Sequence, residues 1–167
     1  MLFRSVDGFD ANIDYQFHTA IGTFSSSLNV TEIYKYAAAV SPGSPVENRL
    51  GYASTDAFAA RWKGSLGLGY AHGNWTGRVA GRFISSYEDY DRARRLGDFW
   101  LFDVSLRDNF GKHFAASDSL LRNTYADLSV VNTLNRTVQF SSSGSGYDPR
   151  MADIIGRFVS LTVGTHW

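Results

Sequence analysis

The side chains that most often do chemistry are sparse in this sequence. Cysteine is absent, which excludes disulfide frameworks, thiolate zinc sites and cysteine nucleophiles. The four histidines are His18, His72, His113 and His166. None has the i, i+4 or H-E-x-x-H spacing of a metal site, so turn or strand-end positions are the simpler interpretation. The sequence also lacks a G-x-S-x-G elbow. It therefore predicts no catalytic residue, no metal site and no cofactor, and hence no enzyme.

Two groups of charged residues remain as candidates for binding. The first lies between residues 87 and 95 and includes Tyr87, Tyr90, Arg92, Arg94 and Arg95, interspersed with Glu88, Asp89 and Asp91. The second falls on alternate positions of predicted strands and comprises Lys63, Arg78, Arg82, Asp103 and Arg107. Both groups mix positive and negative charges, so pairing within each group is the simplest interpretation. The mixture indicates no single ligand charge.

The composition narrows the class of protein. The chain has 167 residues, enough for one domain or part of one. Its aromatic content of 15% argues against disorder, and the balance of 16 Lys+Arg against 16 Asp+Glu argues against a nucleic-acid partner. No apolar run approaches the ~18 residues of a membrane-spanning helix, and no N-terminal segment is typical of a signal peptide. Taken alone, these features favour a soluble globular domain.

The hydrophobic pattern along the chain indicates a different class. Apolar and polar residues alternate with a period of two in about seven segments, as in strands with one apolar and one polar face. These segments lie near residues 9–17, 24–36, 62–70, 75–83, 102–107, 124–132 and 159–167. No segment sustains the 3.6-residue period of a helix. The sequence therefore predicts an all-β fold of about seven strands, many of them long.

The connections between the predicted strands alternate in length. Tight turns are expected at residues 19–22 and 72–74. Long connections near 37–58, 86–98 and 134–154 contain all three prolines, and a medium one lies near 109–119. Transmembrane β-barrels have short periplasmic turns at one end and long extracellular loops at the other. We therefore expect an antiparallel transmembrane β-barrel segment, partial and open because about seven strands do not close a large barrel.

Aromatic residues bound the apolar face of two predicted strands. They are Trp62 and Tyr70 on one strand, and Trp75 and Phe83 on the next. Eight residues of tilted strand span about 20 Å, close to the ~25 Å apolar band between the aromatic girdles of outer-membrane barrels. These four residues are therefore predicted to belong to the girdles. Tyr34 and Tyr36 are expected at the extracellular rim of the same face.

Four short segments resemble one family of proteins. They are Val6-Asp7-Gly8-Phe9-Asp10, Leu101-Phe102-Asp103-Val104-Ser105-Leu106, Val130-Val131-Asn132-Thr133-Leu134-Asn135 and Gly146-Tyr147-Asp148-Pro149. In this order, followed by Gly156-Arg157 and a strand that ends in an aromatic residue, they resemble the C-terminal part of a TonB-dependent outer-membrane receptor. The third departs from the family pattern at Thr133 and Asn135. The resemblance extends over residues 1–167, interpreted as one C-terminal barrel part without a plug domain.

The resemblance implies a function in uptake across the outer membrane of a Gram-negative bacterium. Such receptors capture a scarce ligand, of the siderophore, vitamin or oligosaccharide class, and pass it through the barrel. The implied partners are outer-membrane lipids and the outer-membrane insertion machinery, with the TonB system engaged only through the plug, which nothing in this sequence matches. The chain is thus expected to be a receptor fragment. In such receptors extracellular loops contact ligand or lipopolysaccharide, which makes Tyr87, Tyr90, Arg92, Arg94 and Arg95 candidate contacts.

The last predicted strand resembles the assembly signal of outer-membrane barrels. The residues that carry this resemblance are Val159, Leu161, Val163 and Trp167. An apolar alternating strand with a free edge can be captured by strand addition. The same residues also suit a last lipid-facing strand without any signal. Thr165 departs from the signal, which usually has an apolar residue there.

Two other classes of protein fit part of the pattern. One is a complete small outer-membrane β-barrel with a structural or adhesive role, which suits the length but not the odd number of strands. The other is a soluble β-sheet protein, either a sandwich or a ligand-binding β-barrel, with or without enzymatic activity. A soluble protein would bury the apolar face. The exposure of Leu66, Val79, Val104 and Leu161 therefore separates the membrane and soluble hypotheses.

Overall fold

A computed structural model describes residues 4–39, 41–53, 60–110, 124–151 and 154–165. Within these ranges the chain forms ten β-strands, all paired antiparallel. None of the described residues forms a helix long and apolar enough to cross a membrane. The fold is therefore an all-β, partial and open β-barrel, as the alternating pattern predicts.

Seven long strands form the main sheet. They are β1 (Arg4–Thr19), β2 (Gly22–Ala38), β4 (Trp62–His72), β5 (Trp75–Ile84), β8 (Phe99–Asp108), β9 (Thr124–Val131) and β10 (Phe158–Thr165). Each pairs with its neighbour in the chain, in the order β1-β2-β4-β5-β8-β9-β10. Among the described residues, β1 and β10 are the two edges of this sheet. The prediction of about seven strands is confirmed for the sheet, and three two-residue strands lie in the connections.

The register places like residues in rows that cross the sheet. In the middle row Leu68, Val79, Val104, Val130 and Val159 pair successively from β4 to β10. Because residues that pair across strands point to the same face, the alternation within each strand becomes one continuous apolar face and one polar face. A slip of one residue between any two strands would mix the two faces.

Tight turns connect the strands at one end of the sheet, called here the turn end. Two-residue turns join β1 to β2 and β4 to β5, as predicted. Gly73 has a φ of 57°, which suits glycine in a hairpin turn. Gly22 has a φ of 141°, and a Cβ there would lie 2.6 Å from the carbonyl oxygen of Ala71. Of the connection predicted near 109–119, residues 111–119 lie outside the described residues.

One irregularity interrupts the pairing of β1 with β2. Asp7 pairs with Lys35 and Gly8 with Ile33, so that Tyr34 is an extra residue on β2. A bulge of this kind inverts the alternation beyond it. Tyr34 is 57% exposed, whereas Tyr36 is buried, with 3% exposure. The expectation of two aromatic residues at this rim therefore holds for Tyr34 and fails for Tyr36.

The long connections lie together at the opposite end, called here the loop end. The β2–β4 connection contains β3 (Glu47–Asn48), which pairs with β2. The β5–β8 connection contains the hairpin of β6 (Tyr87–Glu88) and β7 (Arg95–Leu96). Together with the β9–β10 connection they form a compact body, the loop cap, around a small apolar core of Ala53, Ala60, Tyr87, Leu96 and Met151.

Candidate functional site

The apolar face of the sheet is exposed over its whole width. The four residues that discriminate between membrane and soluble proteins are exposed by 44% (Leu66), 45% (Val79), 36% (Val104) and 69% (Leu161). A folded soluble protein rarely leaves so large an apolar surface open. The exposure therefore favours the membrane hypothesis over a soluble protein with a buried apolar core.

Aromatic rings border this apolar face at both ends. At the turn end Phe17, Phe24 and Tyr70 form a chain, with ring centroids 5.1 and 4.8 Å apart. At the loop end the Phe83 and Trp100 rings lie 4.5 Å apart. The four residues predicted for the girdles are distributed accordingly: Trp62 and Phe83 at the loop end, Tyr70 and Trp75 at the turn end. The sheet therefore carries two aromatic rows that flank an aliphatic band. Whether lipid headgroups contact them stays a prediction.

The polar face carries cross-strand ion pairs. Arg82 Nη2 donates to Asp103 Oδ2 at 2.9 Å, and Arg107 Nε donates to Asp127 Oδ2 at 2.8 Å. Thr31 also donates its hydroxyl to Asp10 Oδ1 at 2.6 Å. Partly exposed pairs of this kind contribute little stability, about 0–1 kcal/mol each. These ion pairs neutralise charge on the polar face while their side chains stay partly exposed.

The loop cap is organised around one buried carboxylate, Asp89, which is 0% exposed. Its Oδ1 accepts hydrogen bonds from the Ser141 hydroxyl at 2.6 Å and from the backbone N–H of Tyr90 at 2.8 Å. Its Oδ2 accepts from the Ser142 N–H and from Arg94 Nε, both at 2.8 Å. Ser141 and Ser142 belong to the β9–β10 connection. Asp89 therefore joins two loops that are about fifty residues apart in the chain.

These hydrogen bonds determine the charge state of Asp89. Burial by itself raises the pKa of a carboxyl group. The donors from Ser141, Ser142, Arg94 and Tyr90 outweigh that effect and hold the pKa of Asp89 well below its usual range. Asp89 is thus an anion whose acceptor positions are occupied within the cap.

A second buried carboxylate, Asp148, ties the same two loops together. Its Oδ2 accepts the Tyr87 hydroxyl at 3.0 Å, and its Oδ1 accepts the Arg150 N–H at 3.1 Å. Burial, together with the negative charge of Asp148, raises the pKa of the Tyr87 phenol above its usual value. Tyr87 is therefore a neutral donor at physiological pH.

The residues predicted as extracellular-loop contacts mostly bind within the cap. Tyr87 is buried, and Arg94 bonds to Asp89 while its guanidinium lies 4.6 Å from the Phe140 ring centroid. Arg92 lies 3.9 Å from the Tyr52 ring centroid, and Arg95 Nε donates to the Ser86 hydroxyl at 2.9 Å. Tyr90 is half-buried against the apolar core. The structure brings these five residues into one region, and ligand contact by them stays a prediction.

Sequence reasoning missed the partners of this run. Asp148 lies in a segment that stands out in the sequence only by its family resemblance, and no pattern in the sequence marks Ser141. Gln139 was also missed, although its side chain accepts from the Gly97 N–H at 2.8 Å and donates to the Gly97 carbonyl at 3.0 Å. Acidic residues interspersed with arginines signal pairing, but they do not identify partners that lie more than forty residues away.

Of the strands that the structure describes, β9 alone pairs with the last strand, whose other edge is open, as the assembly-signal hypothesis requires. Val159, Leu161 and Val163 are more than half exposed, and β10 pairs with β9 over its full length. Trp167 lies outside the described residues. Recognition of this strand by another protein stays a prediction.

The histidines make only local contacts where they are described. His18 Nδ1 lies 2.8 Å from the Thr23 hydroxyl, and the His72 ring stacks on Tyr70. His113 and His166 lie outside the described residues. In the part of the chain that the structure describes, no three His, Asp or Glu residues come together as ligands for a metal ion.

Comparison with known proteins agrees with this architecture. A family model described as TonB dependent receptor-like, beta-barrel matches residues 4–150. No curated protein and no solved structure matches the sequence. The match includes six of the seven long strands and most of the loop cap. The chain therefore belongs to the family of TonB-dependent receptor-like β-barrels.

Proposed function

We propose that this chain is the C-terminal part of the barrel wall of a receptor that takes up a scarce ligand across the outer membrane. The family is one of outer-membrane receptors and transporters of Gram-negative bacteria, and not of enzymes. The proposed ligand class is a siderophore, a vitamin or an oligosaccharide. Coupling to the TonB system would depend on a plug domain.

The observation that carries this proposal is the two-sided sheet. Its exposed aliphatic band lies between two aromatic rows, and its other face is polar and ion-paired. In a transmembrane barrel, lipid covers the first face and the aqueous lumen wets the second. The turn end then faces the periplasm and the loop cap faces the medium, where the run of residues 87–95 could meet a ligand.

The proposed partners follow from the same arrangement. Outer-membrane lipids would cover the apolar face, and the insertion machinery would engage the free edge of β10 by strand addition. A neutral net charge supports the absence of a nucleic-acid partner.

Spin labels can test which face meets lipid. Because the chain has no cysteine, Val79→Cys and Ala80→Cys each place one label on adjacent residues of β5 that point to opposite faces. In chain reconstituted into lipid vesicles, the label at 79 should collide with oxygen, which concentrates in the bilayer. The label at 80 should collide with a water-soluble nickel chelate.

Two results would contradict the proposal. One is equal or reversed accessibility of the two labels. The other is refolding of the chain in plain buffer to a monodisperse species that melts cooperatively, because an exposed apolar face and two strand edges should cause aggregation there.

A further inference from the structure

Three arginines point to the lumen from β5 and β8, and they differ in their partners. Arg82 and Arg107 each bond to an aspartate at less than 3 Å. Among the described residues, no carboxylate lies within ion-pair distance of Arg78. Arg78 pairs across strands with Gly69 on one side and Ser105 on the other, neither of which carries charge.

The backbone around Arg78 leaves its guanidinium room. A Cβ on Gly69 would lie 3.9 Å from Arg78 Cγ, so the aliphatic stem of the arginine covers the glycine. On the other side, the cross-strand row continues through the hydroxyls of Ser105, Ser129 and Ser160. The guanidinium thus lies beside polar groups that can donate hydrogen bonds, without a carboxylate to accept its own.

A hollow of about 210 Å³ lies on this side of Arg78. It is lined by Thr76, Arg78, Ser105, Arg107, Asn109 and Asp127. Two arginines face one aspartate, which leaves a net charge of +1 in the lining. Asp127 already bonds to Arg107, so within the described ranges the positive charge without an ion-pair partner in this lining is that of Arg78. The hollow therefore combines an unpaired guanidinium with two hydroxyl donors.

A larger hollow of about 390 Å³ lies on the other side of Arg78. Asp14 lines it together with Arg78, which makes its lining neutral, and its floor is formed by small residues such as Ser27 and Gly67. A free anion placed there would meet the Asp14 carboxylate. Charge thus favours the smaller hollow as the site for an anion.

We propose that the smaller hollow is an oxyanion site of the lumen, which binds a carboxylate or phosphate group. Arg78 supplies the fork of N–H donors that matches such a group. The Ser105 hydroxyl can donate from the same cross-strand row, and the Thr76 hydroxyl from the next row on that face. The inference rests on the proposed function, since it places the site on the path through the barrel. The oxyanion belongs either to the transported ligand or to another segment of the same receptor.

Phosphate binding to the 167-residue chain in detergent micelles provides the test. The Nε–Hε resonance of Arg107, which lines the same hollow and is kept in every variant, is followed by NMR while inorganic phosphate replaces chloride at constant ionic strength. This resonance should shift saturably in the parent chain and in the matched control Arg82→Gln. Arg78→Gln should weaken binding by about tenfold or more, as expected for charge-assisted hydrogen bonds. Arg78→Lys, which keeps the charge but loses the fork, provides a second variant whose circular dichroism should match that of the parent.

A shift that does not saturate, or one equally strong in Arg78→Gln and Arg82→Gln, would overturn the site. Such a failure is distinct from failure of the proposed function, because the spin label at residue 79 would still report lipid.

The melting temperature of the complete receptor distinguishes the two sources of the oxyanion, which are another segment of the receptor and the transported ligand. If the receptor supplies the carboxylate, Arg78→Glu lowers the melting temperature relative to Ala80→Glu. If the site is open to a transported anion, phosphate raises the melting temperature of the parent and not of Arg78→Glu. If neither change in melting temperature is observed, the proposed site is also overturned.

Discussion

The sheet and the loop cap follow opposite rules of burial. In the cap, the charged Asp89 is completely buried and its acceptor atoms are bonded. In the seven long strands, only Tyr36, Gly81, Phe99 and Thr124 are buried, and large aliphatic residues lie exposed. The cap therefore has a small buried core of its own, whereas the sheet leaves one apolar face exposed, as the proposed contact with lipid requires.

The difference shows that two distinct interactions stabilise one chain. The sheet depends on its ladder of backbone hydrogen bonds and, under the proposed function, on a bilayer that would cover its apolar face. The cap depends on buried side-chain hydrogen bonds among residues that are distant in sequence. Changes in one region should therefore leave the other largely intact.

The largest expected effect is that of Asp89→Ala. It leaves the Ser141 hydroxyl and the N–H groups of Tyr90 and Ser142 without their acceptor, which should destabilise the cap by about 3–5 kcal/mol. Hydrogen exchange should accelerate at Tyr90 and Ser142 but not in β4 or β5. Asp91→Ala, at an exposed position of the same hairpin, is the matched control. Equal acceleration in the cap and the sheet would show that the two regions are one cooperative unit.

Charged substitutions on the sheet should have the next largest effect. Val79→Arg places a guanidinium in the aliphatic band and should cost about 2–4 kcal/mol in a bilayer. Ala80→Arg, one residue away on the polar face, should cost less than about 1 kcal/mol. Urea unfolding of the chain in lipid vesicles measures both. The interpretation of the two faces fails if Ala80→Arg lowers the free energy of unfolding more than Val79→Arg does.

Acid should loosen the cap and leave the sheet in place. Since the pKa of Asp89 is held below that of the unfolded chain, its stabilisation is complete above about pH 4 and is lost as the pH falls through the folded pKa. The effect is smaller than that of Asp89→Ala, because the carboxyl group stays in place. Pepsin should begin to cleave within residues 85–98 and 132–157 on acidification. At pH 4, where the parent chain keeps Asp89 ionised, the Asp89→Asn variant should be cleaved faster than the parent, and equal cleavage of the two would refute the argument.

The smallest expected effect is that of Tyr87→Phe. It removes the hydroxyl that donates to Asp148 Oδ2 at 3.0 Å, which should cost the cap about 1–2 kcal/mol. Tyr34→Phe, at an exposed position, is the control and should be neutral. Exchange of the Met151 N–H, which bonds to the Asp148 carbonyl, provides the local measurement. No change there would mean that Asp148 is held by its other partners alone.

The sheet could be predicted from sequence because its information is local. Alternation with a period of two gives strands such as Trp75–Ile84 without knowledge of any partner, and short connections imply antiparallel neighbours. The prediction failed at Tyr36, where a single extra residue in β2 inverts the faces. No local pattern marks which of two paired strands carries the bulge.

The cap could be predicted only in part. The mixed charges between residues 87 and 95 indicated internal pairing, and the Arg94–Asp89 pair is close enough in sequence for that inference. The bonds from Asp89 to Ser141 and from Tyr87 to Asp148 join residues more than fifty apart. Such contacts follow from how the hairpins are placed in the sheet. They could not be read from either segment alone.

The same long-range contacts impose an order of events on folding. The cap consists of residues from the connections that follow β2, β5 and β9. The hydrogen bond from Ser141 to Asp89 therefore forms only after the β9–β10 connection has reached the cap. Contacts of high sequence separation form late, because closing the intervening chain costs entropy first. Protection of the Ser142 amide from hydrogen exchange during folding would therefore report when the β9–β10 hairpin has joined the sheet.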